Sequence, residues 1–144
     1  MTTESDVVHY GYIEKFIESL GEKYNIREIA YDRWGAVQMV QNLEGMGFTV
    51  VPFGQGYKDM SPPTKELMKL VMEKKLAHGG HPVLRWMMDN IYIKTDPAGN
   101  IKADKAKSTE KIDGAVATIM ALDRAIHCGN TTVPAFMTSV EFFI

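Results

Sequence analysis

Two carboxylates stand at places where a folded chain can put them to chemical use. Ile26, Ile29 and Tyr31 suit a strand flanked by packing layers, and Asp32 arrives where that short run ends. A carboxylate there rests on rigid backbone, faces a crevice and can hold a metal ion without being sealed from water. The competing reading makes Asp32 the N-cap of the following helix, with Arg33 as a neighbouring counter-charge. The second carboxylate is Asp113. Ile112, Ala115, Val116, Ile119 and Leu122 recur at helical spacing and predict a buried stripe on a helix that opens at Ser108 or Thr109 and runs to about Ile126. Asp113 falls at the margin of that stripe, with Glu110 one turn above it and Ala117 one turn below. A first-turn acid also serves simply as a partner for the positive helix end, and the sequence leaves both readings open.

Other candidates carry less. Lys102, Lys105, Lys107 and Lys111 form the one basic cluster, which a solvated loop explains as readily as a phosphate contact does. His78 and His81 flank paired glycines, but no third ligand lies near them for a metal. Gly54-Gln55-Gly56 follows a predicted strand yet lacks the Gly-Lys-Ser/Thr ending of a phosphate loop and the Gly-x-Gly-x-x-Gly spacing of a dinucleotide site, so it reads as a turn. Cys128 is the single cysteine, which excludes an internal disulfide and fits a reducing compartment.

The elements that must position these residues follow from periodicity. Ile13, Phe16, Ile17 and Leu20 predict a helix from Tyr12 to Tyr24, weakened by Gly21 near its end. Val37, Val40 and Leu43 predict a second helix closed by Gly45 and Gly47. Phe48 to Phe53 reads as a strand parallel to the first, which makes the unit β-α-β. Ser61-Pro62-Pro63-Thr64 reads as the start of a third helix, with Leu67, Leu70, Val71 and Leu76 as its stripe and Met60, Met68 and Met72 filling the core. Pro82 opens a fourth helix, Ile91 to Lys94 follows as a strand, and Asp96-Pro97-Ala98-Gly99-Asn100 turns it back through Ile101 and Lys102 as a hairpin. Asp123 faces the apolar side of the last helix and requires a partner such as Arg124. Residues 129–144 lose the pattern and read as a tail.

The 144 residues, 45% hydrophobic, are enough for one domain with a real core. Sixteen Lys and Arg against 18 Asp and Glu give a formal net charge of -2, so any polyanion must be met by a local patch. An acidic N-terminus without a signal-peptide pattern, and no apolar run of spanning length, predict a soluble, cytoplasmic protein with no membrane partner.

In order along the chain, Tyr-Asp-Arg-Trp at 31–34, Val-Pro-Phe-Gly-Gln-Gly at 51–56, Pro-Thr-Lys-Glu-Leu at 63–67, His-Gly-Gly-His-Pro-Val-Leu-Arg-Trp-Met at 78–87, Lys-Thr-Asp-Pro-Ala-Gly-Asn-Ile-Lys at 94–102 and Lys-Ser-Thr-Glu-Lys-Ile-Asp-Gly at 107–114 resemble the C-terminal nuclease domain of the large terminase subunit of tailed bacteriophages. The resemblance implies an α/β, ribonuclease H-like mixed sheet flanked by helices, occupying residues 1–128 ahead of a tail at 129–144. It implies endonucleolytic cleavage of concatemeric double-stranded DNA with two divalent ions, Mg2+ or Mn2+, held by carboxylates. By position, Asp32 and Asp113 match the family's second acid and the acid of its final helix, and Glu110 matches a site of additional ligation or proton transfer. Lys105, Lys107 and Lys111 would then touch DNA phosphates. Implied partners are double-stranded DNA, the remaining terminase polypeptide, the small terminase subunit or portal, and a further copy of the chain. His81 stands where the family pattern carries asparagine. The family's opening strand and its first acid are expected to precede residue 1, and Glu4 and Asp6 do not replace that acid. The alternative expectation is therefore a non-catalytic remnant that acts as an interaction or self-associating module.

Overall fold

The computed structural model describes residues 10–34 and 36–128. Over them run α1 (Tyr10–Lys23), β1 (Ile29–Asp32), α2 (Val37–Gly45), β2 (Val50–Phe53), α3 (Tyr57–Met72), α4 (Pro82–Asp89), β3 (Ile93–Thr95), β4 (Ile101–Ala103) and α5 (Asp113–His127). The chain divides into two compact units, Met1–Pro52 and Phe53–Ile144. The α/β content is the expected one. The strands, however, form two two-stranded sheets among the described residues, β1 beside β2 and β3 beside β4, rather than one mixed sheet. The β3–β4 hairpin is tied to a helix, because the amide of Ile101 donates to the Ser61 hydroxyl on α3 at 3.0 Å.

In the first unit, α1 buries Leu20 and α2 buries Leu43, the residues on which their apolar stripes converge. Ile13, Phe16 and Val37, expected in the same stripes, are exposed, so the buried seam is narrower than the apolar pattern. The side-chain amide of Asn42 donates to Glu14 at 2.8 Å and links the two helices. Gly21 does more than weaken α1. A Cβ there would lie 2.8 Å from the edge of the Phe48 ring, so the missing side chain makes room for that aromatic group. Gly47, at φ +93°, turns the chain out of α2 in the left-handed region that glycine adopts without strain.

In the second unit α5 is the buried element, with α3 and α4 packed against it and α3 also against β4. Met60, Leu67, Ile112, Ala115, Val116, Ile119, Met120 and Leu122 are buried. Two boundaries differ from the sequence expectation. Helix α3 begins at Tyr57, so Pro62 and Pro63 sit inside it rather than at its first turn. Burial of Met60 and Ser61 anchors the turn ahead of the prolines, while Pro62, which has no amide to donate, is turned to solvent. Of the three methionines assigned to the core, only Met60 is there. Met68 is exposed and Met72 is 81% exposed.

Helix α5 begins at Asp113, not at Ser108 or Thr109. The hydroxyls expected to cap it are used elsewhere. Ser108 Oγ donates to the Asp104 carbonyl at 2.7 Å and accepts from the Tyr92 amide at 3.2 Å. Thr109 Oγ1 donates to Asn90 Oδ1 at 2.8 Å. Glu110 is therefore in the loop ahead of the helix and not one turn above Asp113. Asp123 is buried as expected, with Arg124 at 3.8 Å and His127 at 3.4 Å.

The predicted hairpin is present and antiparallel, pairing Ile93 with Ala103, Lys94 with Lys102 and Thr95 with Ile101. Asp96 holds its turn. The side-chain amide of Asn100 donates to Asp96 Oδ2 at 2.9 Å and its backbone amide donates to Oδ1 at 2.8 Å. The Asn100 side chain is the largest cause that holds the Asp96 carboxyl below its usual pKa, and backbone donors add to it. A folded pKa below the unfolded one means that the unfolded chain binds more protons as acid is added. The contribution is complete above the ordinary carboxylate range and is lost as pH falls through the lowered pKa. Urea unfolding at stepped acidic pH is expected to show a shallower loss of stability for Asp96→Asn than for the unsubstituted chain. Parallel curves would remove Asp96 from the acid response.

Candidate functional site

Asp32 is the last residue of β1, exposed, while Ile29, Ala30 and Tyr31 behind it are half-buried. Its Oδ1 accepts from the Trp34 amide at 3.4 Å, which folds the chain back just beyond the strand. It is not the N-cap of α2, a place taken by Ala36. Arg33 lies over the Trp34 ring, 5.6 Å from its centroid, and Trp34 is 78% exposed. The first unit therefore presents a carboxylate, a guanidinium and an indole on three consecutive residues.

Asp113 is the first residue of α5. Ile112 before it and Gly114, Ala115 and Val116 after it are buried, so this exposed carboxylate stands on backbone fixed by its neighbours. The amide of Gly114 points to the sulfur of Met87 on α4 at 3.2 Å. The ammonium of Lys105 donates to Asp113 Oδ1 at 3.0 Å. Thus one expected ligand and one expected phosphate contact are joined directly. The pair was not legible in the sequence, because its eight-residue spacing has meaning only once the loop between them is folded.

That loop has a local cause. Asp104 Oδ1 accepts from the amides of Ala106 at 2.9 Å and Lys107 at 3.3 Å, and the Asp104 carbonyl accepts from the Ser108 amide at 3.0 Å. An aspartate that takes the amides two and three residues on is a turn with a sequence signal, Asp followed by Ser four residues later. It sends Lys105 toward Asp113 and Lys107 over the Tyr92 ring, 5.4 Å from the centroid. Lys111 and Glu110 are exposed in the approach to α5. Lys102 belongs elsewhere, with its ammonium 4.8 Å from the Tyr57 centroid and 3.4 Å from the Gln55 carbonyl.

Among the described residues, no three His, Cys, Asp or Glu come together as a metal cage. His81 is engaged as the N-cap of α4, where its Nδ1 accepts from the Leu84 amide at 3.5 Å. The donor chemistry of Asp32 and Asp113 nevertheless fits Mg2+ or Mn2+. Mg2+ commonly takes one or two carboxylates, keeps several waters and completes its shell with substrate phosphate. Asp32 and Asp113 each offer an exposed oxygen of that chemical kind.

No described helix is long and apolar enough to cross a membrane. The chain is 36% identical over 126 residues to the large terminase subunit of Enterobacteria phage HK97, covering 86% of this chain and 25% of that protein. It is 32% identical over 126 residues to Protein YmfN of Escherichia coli (strain K12), covering 86% of this chain and 28% of that one. The crystal structure of the HK97 bacteriophage large terminase superposes with a TM-score of 0.77 at 35% identity, over 86% of this chain and 26% of that one. The chain thus spans about a quarter of the length of these relatives. The family described as "Terminase large subunit, endonuclease domain" matches residues 2–128, and to that family this chain belongs.

Proposed function

We propose that the chain is a metal-dependent DNA endonuclease domain of ribonuclease H-like architecture, which cuts concatemeric double-stranded DNA during phage packaging in the host cytoplasm. The observation that carries this reading is Asp113, an exposed carboxylate at the head of the most buried helix, inside the region matched by the family. Asp32, exposed at the end of β1, is read as a second oxygen donor in its own right. Mg2+ or Mn2+, when bound, supplies water activation and offsets charge on the leaving oxygen of a phosphodiester. The chain's own residues hold the ion and the DNA. Asp32 and Asp113 offer hard oxygen, Glu110 assists proton transfer from the loop before α5, and Lys105, Lys107 and Lys111 meet phosphates without reading bases. The remaining terminase polypeptide, the small subunit or portal and a second copy are the proposed protein partners.

The test is plasmid cleavage by the purified chain in Mn2+, Mg2+ or EDTA. Nicking with either ion and none in EDTA is expected. Equal products in all three, or none in any, would overturn the reading in favour of a non-catalytic interaction module. The exposed apolar side chains of α1 and α3, Phe16 and Met72 among them, suit that second role.

A further inference from the structure

Lys105 and Asp113 were expected to act on different partners, one on phosphate and the other on a cation, yet they hold each other at 3.0 Å. Both ends of the pair are placed by structure. Lys105 follows the Asp104 turn, which is tied to Tyr92 through Ser108, and Asp113 heads α5 between buried residues. The contact itself is exposed, with side-chain accessibilities of 57% and 62%. An exposed ion pair of this kind is weak and is opened by a competing cation with little loss.

We propose that Lys105 is the exchangeable counter-cation of Asp113: it holds the carboxylate until a divalent ion replaces it, and the released ammonium then contacts a DNA phosphate. The inference rests on the reading of Asp113 as a divalent-ion ligand. The exchange leaves no bare charge at either stage. With no metal, ammonium and carboxylate neutralise each other; with metal and DNA, the ion neutralises Asp113 and phosphate neutralises Lys105. Metal binding and DNA binding are thereby coupled through one side chain, each favouring the arrangement that the other needs.

The test uses the full chain, with Mn2+ affinity read by electron paramagnetic resonance and duplex affinity read against salt. Lys105→Met is expected to bind Mn2+ about two- to fivefold tighter, the factor that corresponds to losing an exposed ion pair. Lys111→Met removes the same charge from outside the pair and should shift the affinity less. In EDTA the salt slopes of duplex binding should coincide for the unsubstituted chain and Lys105→Met. In Ca2+ the unsubstituted chain should be steeper by about 0.9, one phosphate contact's worth. Asp113→Asn separates two kinds of failure. If it weakens Mn2+ binding while Lys105→Met leaves it unchanged or weaker, the exchange is wrong and the ligand reading stands. If Asp113→Asn leaves Mn2+ affinity unchanged, the ligand reading fails and the exchange fails with it. Slopes that coincide in Ca2+ as well would rule out the transfer of Lys105 to phosphate.

Discussion

Asp113→Asn is expected to lower divalent-ion-dependent DNA cleavage by about 100-fold or more, since changes to groups that merely orient a metal ligand already cost about 10- to 100-fold. The substitution keeps the shape of the side chain and removes only its charge. Because Asp113 is exposed, the helix beneath it should survive. The stability lost from its favourable place at the positive end of α5 is expected to stay under about 1 kcal/mol. Asp32→Asn should act in the same direction, and an asparagine oxygen can still accept the Trp34 amide, so the turn after β1 persists. Initial rates of supercoiled-plasmid nicking in Mn2+, beside circular dichroism of each variant, make the measurement. A folded Asp113→Asn protein that keeps more than about a tenth of the rate would remove Asp113 from the ligand set.

Stability should respond most to the middle of α5. Ile119 is 1% exposed, in the helix against which α3 and α4 pack. Ile119→Ala removes three carbons from a place where neighbours collapse only partly, and is expected to cost about 2–5 kcal/mol. Against an ordinary total of about 5–15 kcal/mol, that is enough to leave a visible unfolded population in mild urea. Val71→Ala is the contrast. Val71 was expected in the stripe of α3 but is exposed, and its loss should change stability by no more than about 0.5 kcal/mol. Urea midpoints for the two variants decide the matter, and an Ile119→Ala cost below about 1 kcal/mol would mean that α5 is not the central element.

Much of this arrangement was legible because it is local. The α1 helix, the Pro82 helix start and the Asp96–Asn100 turn each depend on residues within one or two turns of each other, and each is present, though of the expected α1 stripe only Leu20 is buried. The misplaced starts of α3 and α5 have one feature in common. Ser61, Ser108 and Thr109 have the side chains of local helix caps, but the fold recruits them to Ile101, Tyr92 and Asn90. A hydroxyl serves a near partner or a far one equally well, and nothing in its immediate sequence decides between them. The positions of Asp32 at a strand end and of Asp113 at the margin of a buried stripe followed from pattern alone. The Lys105 contact needed the folded Asp104 loop.

Two buried hydroxyls in the second unit are used in another way. Thr64 donates to the Met60 carbonyl at 2.6 Å and Thr118 to the Gly114 carbonyl at 2.8 Å, each within its own helix. Neither asks α3 or α5 for a polar partner on the opposing surface. Each buried hydroxyl is thereby satisfied by a carbonyl one turn back in its own helix. Separating α3 from α5 would therefore strand neither hydroxyl, since each keeps its partner within its own helix.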